Sequence, residues 1–433
     1  MSELKPRRLT PEEGPAFAKT VELCFGTVAT EDDINAVIAQ DFDKDWAIGV
    51  FDSGDLVSVA AASPFELSLP AAPVASLPSL PSVLSLPSLP SIGVAGVTCV
   101  GVLPSHRRRG LLTQMMDFQL GQFREREVPI AVLTASESLI YGRFGYGLAA
   151  SYASLVIASK RSAFRELPYL APEPDGKLRL VDKEEATKIL PGLHAAAMRK
   201  RPGDVGRSEA RWSGLLDDPE RARGGGGGRM YVVHERGDGS PDGYGSYRHV
   251  WEQQGGSHLH AAVVEDLYAL TPTVHASLWR FLLDLDLVEE VRAVGRPVDE
   301  PLRWMLADPR KLQTAALRDM LWVKLVDVPA ALSARGYGTE TDLVLEVGSP
   351  GAGEARRYRL ETSPETGGCR QARDGEATDL VLALSDLGAI YLGGCRPSVL
   401  ASAGRIQEAR PGALARADAA FASTLAPFCG THF

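Results

Sequence analysis

Residues 94–102, VAGVTCVGV, are an unbroken apolar run rich in β-branched side chains, the pattern of a buried strand. The period then changes. Leu111, Leu112, Met115, Met116, Leu120 and Phe123 recur at helical spacing and predict a helix over 110–126. Pro129 follows, and IAVLTA (130–135) predicts a second apolar strand. The order strand, arginine-rich turn, helix, strand is that of a βαβ-like unit with a tight first turn.

Other elements flank this unit. Thr10 as a cap, Pro11 in the first turn and Glu13 at the capping-box position predict a helix over 10–24. WAIGVF (46–51) and LVSVAAA (56–62) predict strands joined by the turn DSGD. SLPSLPSVLSLPSLPS (76–91) carries proline at nearly every third position, which removes backbone donors and predicts an extended polyproline-like surface loop. RARGGGGGR (221–229) reads as a flexible loop inside a second domain. HLHAAVVEDLYAL (258–270) alternates and leads into a capped helix in TPTVHASLWRFLLDLD. A third block starts near Lys311, with strands expected at 342–347 and 356–361 and a helical tail.

A length of 433 residues suggests two or three domains at about 150 residues each. A net charge of −9 argues against a general nucleic-acid binder, which shows a basic face, and is compatible with a cationic substrate. The five cysteines are scattered and form no CxxC, which fits a reducing cytoplasm better than a disulfide framework. The N-terminus lacks an apolar secretory core, and no run reaches the ~18 apolar residues of a membrane span.

The turn itself reads VLPSHRRRGLL (102–112). Gly110 lets the backbone approach a ligand closely. The helix start offers unpaired N–H groups and a positive dipole end. With Arg107, Arg108 and Arg109 these make a pocket suited to polyphosphate, while an arginine run alone is a solvated basic turn.

VGVLPSHRRRGLLTQMM resembles the acetyl-CoA loop of the GCN5-related N-acetyltransferases, with Arg107-x-x-Gly110 matching and Leu112 in place of the last small residue. RRRGLL followed by ASESLIYGRFGYG (135–147) is similar to the Eis, or enhanced intracellular survival, branch of that family. The similarity recurs in VEDLYALTPTVHASLWRFLLDLD, LWVKLVDVPAALSARGY, YLGG (391–394) and the terminal phenylalanine, so it covers most of the chain. The proline-rich insert lies outside the family pattern.

The resemblance implies an α/β (α+β) fold of tandem GCN5-related acetyltransferase folds followed by a sterol-carrier-protein-like C-terminal domain. It implies a catalytic domain over 1–160, a second acetyltransferase-like domain without a cofactor site over 161–308, and a sterol-carrier-like domain over 309–433 that supplies the C-terminal carboxylate. Acetyl-CoA is the expected co-substrate and no metal is expected. Val100, Gly101 and Val102 would bind its pantetheine arm. Arg108, Arg109, Gly110, Leu111, Leu112 and Thr113 would wrap its pyrophosphate, and Ser136 and Glu137 would touch its far side. Tyr141 takes the place of the general acid, with Tyr146 as runner-up; without the resemblance, a buried aromatic is the ordinary reading of any one tyrosine here.

Read from its residues alone, the final THF is a frayed tail, although AAFASTLAPF before it is apolar enough to be anchored. The resemblance implies that the Phe433 carboxylate reaches the first domain as the base, with His432 as a helper and Glu137 as the next candidate. A free carboxylate has a pKa near ~3.5, and burial raises it. The expected acceptors are primary amines of aminoglycosides, polyamines or lysine side chains. A homo-oligomer, hexameric by resemblance, is expected in the cytoplasm, with no nucleic-acid or membrane partner. The alternative is a non-catalytic lipid- or partner-binding scaffold with a vestigial transferase site. His258 and His260 share a strand face without a third ligand, and Cys99 lacks a partner base, so neither metal nor thiol chemistry is expected there.

Overall fold

A computed structural model describes residues 4–433 except 29, 72–87, 161, 171–175, 255–256, 349–354 and 364–366. Most of the expected proline-rich loop, residues 76–87, lies outside the described residues, and Ser91 already belongs to a strand.

The described residues form a twelve-stranded sheet and a five-stranded sheet. The large sheet runs in the order Arg7–Arg8, Ile48–Asp52, Asp55–Ser68, Ser91–Val102, Ile130–Leu133, Leu312–Leu325, Gly147–Ala158, Glu290–Pro297, Ser257–Ala269, Pro241–Gln254, Met230–Glu235 and Lys177–Val181. Its two halves repeat one motif. Ser91–Val102 passes through helix Leu111–Glu125 to the parallel strand Ile130–Leu133, and Ser257–Ala269 passes through helix Pro272–Leu283 to the parallel strand Glu290–Pro297. These repeats are the tandem folds that the resemblance implies, joined edge to edge.

Strand Leu312–Leu325, expected within the third block, lies at the join of these halves. It pairs Trp322 with Leu133 on one side and Leu312 with Ile157 on the other. Strand pairing is decided by backbone partners and burial, so the chain crosses the sheet once more before the last domain begins. That domain is the five-stranded sheet, with Thr341–Gly348 at its centre and helices Val328–Ala334, Leu384–Ile390 and Ala413–Phe421 packed around it.

The predicted βαβ unit forms. All four residues of Ile130–Leu133 are buried, which is why the run is uniformly apolar. Helix Leu111–Glu125 turns Leu111, Met115, Met116, Leu120 and Phe123 inward. The capping residues Thr10 and Glu13 stand before helix Gly14–Phe25, with the Thr10 amide donating to the Glu13 carboxylate at 2.8 Å. A second helix, Glu31–Asp41, follows behind the Thr30 cap. Beyond Phe421 the tail leaves the last domain without regular structure and returns to the first.

Candidate active site

The site opens where two strands part. Ser91–Val102 and Ile130–Leu133 pair at Ala95–Ala131, Gly96–Val132 and Val97–Leu133. The second strand then stops and the first continues to Val102. On its other side the register shifts between Val59 and Ala61, and Cys99 at the bulge has a φ of 53°. The bulge turns the strand away from its former neighbour. Among the described residues, no strand pairs with the Cys99–Val102 edge in the gap.

That gap widens into a cavity of about 810 Å³. Val100, Gly101 and Val102 form one wall. Arg108, Gly110, Leu111, Leu112 and Thr113 form the loop and first turn at its mouth, joined by Arg107 and His106. Arg108 has a φ of 63° and Gly110 a φ of 79°. Left-handed residues of this kind curl backbone N–H groups into anion-binding concavities. Gly110 is also the residue before the helix, and a Cβ placed on it meets nothing within 4 Å. Its conformation, rather than any crowding, calls for glycine. The volume, the free strand edge and the arginine-lined helix start all fit a long nucleotide thioester.

Arg109 stands apart. It is absent from the cavity wall, and its guanidinium lies 3.5 Å from Asp52, which His106 also approaches at 3.2 Å. The loop thus holds two arginines toward the cavity and one against the neighbouring turn.

Ser136, Glu137 and Tyr141 line the opposite wall. Tyr141 is buried, and burial, reinforced by the Glu137 carboxylate, raises its hydroxyl pKa. Tyr146 packs edge-on against it at 6.0 Å, is fully buried and lies off the cavity wall. Phe433 lines the same cavity. Its ring sits 4.7 Å from that of Phe65, and its main-chain oxygen accepts a 2.7 Å hydrogen bond from the Thr134 hydroxyl. Thr134 was not anticipated; its one sequence signal is that it is the first polar residue after an apolar strand. Cys99 also lines the cavity, but burial, followed by the Asp41 carboxylate, pushes its thiol up to about 12. It is therefore a poor nucleophile.

His432 points elsewhere. It lines a separate cavity of about 150 Å³ with Arg207, Arg211 and Trp212, and its ring packs edge-on to Tyr152 at 6.3 Å. Burial, followed by the Arg207 charge, lowers its pKa. His260 stacks on Trp251 at 3.6 Å and hydrogen-bonds His249 at 2.8 Å, while the side chain of His258 lies outside the described residues. Asp41, at the end of helix Glu31–Asp41, forms a 3.0 Å ion pair with Arg211; burial raises its pKa and Arg211 opposes the rise. Neither Asp41 nor Arg211 carried a recognisable sequence signal.

The acetyltransferase (GNAT) domain family matches residues 5–76 and 72–149, and a further acetyltransferase (GNAT) family matches 203–325. The sterol carrier protein domain family matches 328–430. An uncharacterised N-acetyltransferase of Streptomyces avermitilis is 37% identical, with 98% of each chain covered. The N-acetyltransferase Eis of Mycobacterium tuberculosis is 35% identical over 76% of this chain and 78% of its own. The crystal structure of Eis1 from Mycobacterium abscessus matches all of both chains with a TM-score of 0.80 at 30% identity.

Proposed function

Because this chain belongs to the Eis-type GCN5-related N-acetyltransferases, we propose that it moves an acetyl group directly from acetyl-CoA to a primary amine of a cationic acceptor: an aminoglycoside, a polyamine or a lysine side chain. One observation carries the reading. The main-chain oxygen of Phe433, 299 residues from Thr134 in sequence, is bonded to it in the cavity that Arg108 and Tyr141 also line.

Acetyl-CoA, when bound, supplies an activated thioester and a thiolate leaving group. Val100, Gly101 and Val102 would hold the pantetheine arm. Arg108, with the backbone from Arg109 to Thr113, holds the pyrophosphate by charge-assisted hydrogen bonds. Ser136 and Glu137 border the far side. Tyr141 keeps its proton through the neutral range because burial disfavours the phenolate, so its hydroxyl is loaded to protonate the departing sulfur. The Phe433 carboxylate receives the proton of the acceptor ammonium, and the Phe65 ring and Thr134 hydroxyl fix its position. Glu137 is the reserve base. Tyr146 is a supporting aromatic.

We further propose that the first two domains divide near 160, that the last begins after strand Leu312–Leu325 rather than at 309 as expected, and that the active particle is a closed homo-oligomer, hexameric as in the family. Exposed Trp304, Leu317 and Val298 supply apolar surface for such contacts. Light scattering that reports a monomer at micromolar concentration overturns the oligomer. Among the described residues no helix is long and apolar enough to cross a membrane.

The deciding experiment is a turnover screen with acetyl-CoA over aminoglycosides, polyamines and lysine peptides. Thiol release and acetylated product with at least one class are expected. Acetyl-CoA binding without turnover on any amine leaves the scaffold reading in its place.

A further inference from the structure

The last eight residues are tied, group by group, to one segment of the second acetyltransferase-like domain. The Arg201 guanidinium donates to the Ala426 carbonyl at 2.7 Å. The Phe428 amide donates to the Pro202 carbonyl at 2.9 Å. The Gly430 amide donates to the Asp204 carboxylate at 3.1 Å. Arg207 donates to the Gly430 carbonyl at 2.9 Å and to the Thr431 hydroxyl at 2.9 Å. Arg211 donates to the His432 carbonyl at 2.9 Å. Residues 201–211 and 426–432 therefore run in parallel order along each other, with Gly430 meeting both Asp204 and Arg207.

The other side of the same segment is bonded to the first domain. The amides of Gly203 and Gly206 donate to the carbonyls of Ser68 and Glu66, both at 2.9 Å. The Ser68 hydroxyl donates to the Asp204 carbonyl at 3.1 Å. Ser68 and Glu66 lie on strand Asp55–Ser68, which also carries Phe65, the ring against Phe433. The segment is thus a ruler held against the catalytic domain, and the tail is laid along it.

Arg207 has only 2% of its side chain exposed and faces Asp266 at 2.6 Å, whose carboxylate also accepts from the Tyr244 hydroxyl at 2.8 Å. A buried ion pair is weak evidence for stability and is better attested as a device for fixing register. Here the guanidinium fork spends its remaining donors on the tail, which an ammonium cannot do in the same geometry.

We infer that the second acetyltransferase-like domain serves the reaction as a template that sets the register of the C-terminal tail, with Arg207 and Arg211 as positioning residues for the Phe433 carboxylate. This rests on the reading of that carboxylate as the base. Chain ends fray unless tied. A displacement of ~1 Å at a reacting group costs on the order of 10²-fold in rate. The ties at 430, 431 and 432 hold the base at Thr134 while the acceptor is free to exchange. The second domain thereby acquires a role in catalysis without touching the reacting atoms.

The test is a double-mutant cycle in the full-length protein with an unmodified C-terminus. Arg207→Lys keeps the charge beside Asp266 and loses the fork; Thr431→Val removes one bond and leaves the ion pair intact. Each is made with and without Phe433. With Phe433 present, we expect kcat to fall by about 10- to 100-fold for Arg207→Lys and less for Thr431→Val, with acetyl-CoA affinity unchanged. Without Phe433, the same substitutions lower kcat no further, because what they position is gone. Equal losses with and without Phe433 overturn the template and leave the base reading standing. No loss on removing Phe433 itself overturns the base reading, and the template with it. If Arg207→Lys fails to fold, Thr431→Val carries the cycle.

Discussion

The main-chain oxygen of Phe433 accepts a 2.7 Å hydrogen bond from the hydroxyl of Thr134, joining the tail beyond the last domain to the end of an apolar strand in the first. The bond spans 299 positions in sequence and closes the cavity opposite the arginine turn. Removing Phe433, or extending the chain with a C-terminal tag, is expected to lower kcat by about 10²-fold, the usual scale of acid–base loss. Acetyl-CoA binding by calorimetry stays near that of the intact protein. An extended chain that turns over at the parent rate transfers the role of base to Glu137.

Crowding around Phe433 gives an independent handle on the same group. A Cβ at Gly96 would overlap the Phe65 ring and fall 3.1 Å from the Phe433 ring. Gly96→Ala therefore forces these rings to shift, and overpacking of this kind costs about 1–3 kcal/mol. Expected are a lower melting temperature and a fall in kcat larger than the change in acetyl-CoA affinity. A variant with parent kcat shows that the ring stack does not position the carboxylate.

The arginine turn divides its labour. Arg108 lines the cavity, while Arg109 lies 3.5 Å from Asp52 and off the cavity wall. A charge-assisted bond to phosphate is worth about 1.5–3 kcal/mol, so Arg108→Ala is expected to weaken acetyl-CoA binding at least tenfold. Arg109→Ala, removing a partly exposed pair worth roughly 0–1 kcal/mol, weakens it far less. Titration of both variants decides the matter, and equal losses show that both guanidinia reach the cofactor.

Tyr141→Phe keeps the ring and deletes the proton. A loss of about 10²-fold in kcat with intact acetyl-CoA affinity is expected. Burial, aided by Glu137, raises the hydroxyl pKa above its ordinary value of 10.0, so the acid form persists and no alkaline fall assigned to this group occurs below that pH. A parent-like pH–rate profile and kcat in the phenylalanine variant remove Tyr141 from the reaction.

Acid sensitivity is built into the second domain. His194 is nearly fully buried between Trp212 and Tyr268, and burial, followed by the Arg207 charge, lowers its pKa to about 4 from 6.5. The unfolded chain therefore binds a proton between pH 6.5 and pH 4 that the folded chain refuses. Stability from this group is full above pH 6.5, declines as pH falls through that window, and loses at most about 3 kcal/mol by pH 4. His194→Gln is expected to flatten the melting temperature over this range. An unchanged slope shows that another group sets it.

Local elements were legible because neighbours in sequence decide them. The change from the continuous apolar run at 94–102 to the helical spacing after Gly110 marked both the strand and helix Leu111–Glu125, since burial on both faces and burial on one face leave different periods. RRRGLL and IYGRFGYG marked the loop and wall of the cavity, because the glycine conformation and the arginine chemistry are properties of those few residues. The terminal phenylalanine gained meaning through family likeness alone.

What the sequence by itself determined, then, is the set of elements and the chemistry of the arginine turn; assembly across distant positions was decided only in three dimensions. Leu312–Leu325 reads as the start of the last block, yet its backbone partners are Ile130–Leu133 and Gly147–Ala158. Three adjacent arginines look equivalent until Asp52 takes Arg109. Arg207, Arg211 and Thr134 carry no motif, since their significance lies in main-chain oxygens and a hydroxyl at positions 430–433, which stand 221–299 residues along the chain from them. Periodicity records which face of an element is buried, and it holds no information about which remote chain end that face will meet.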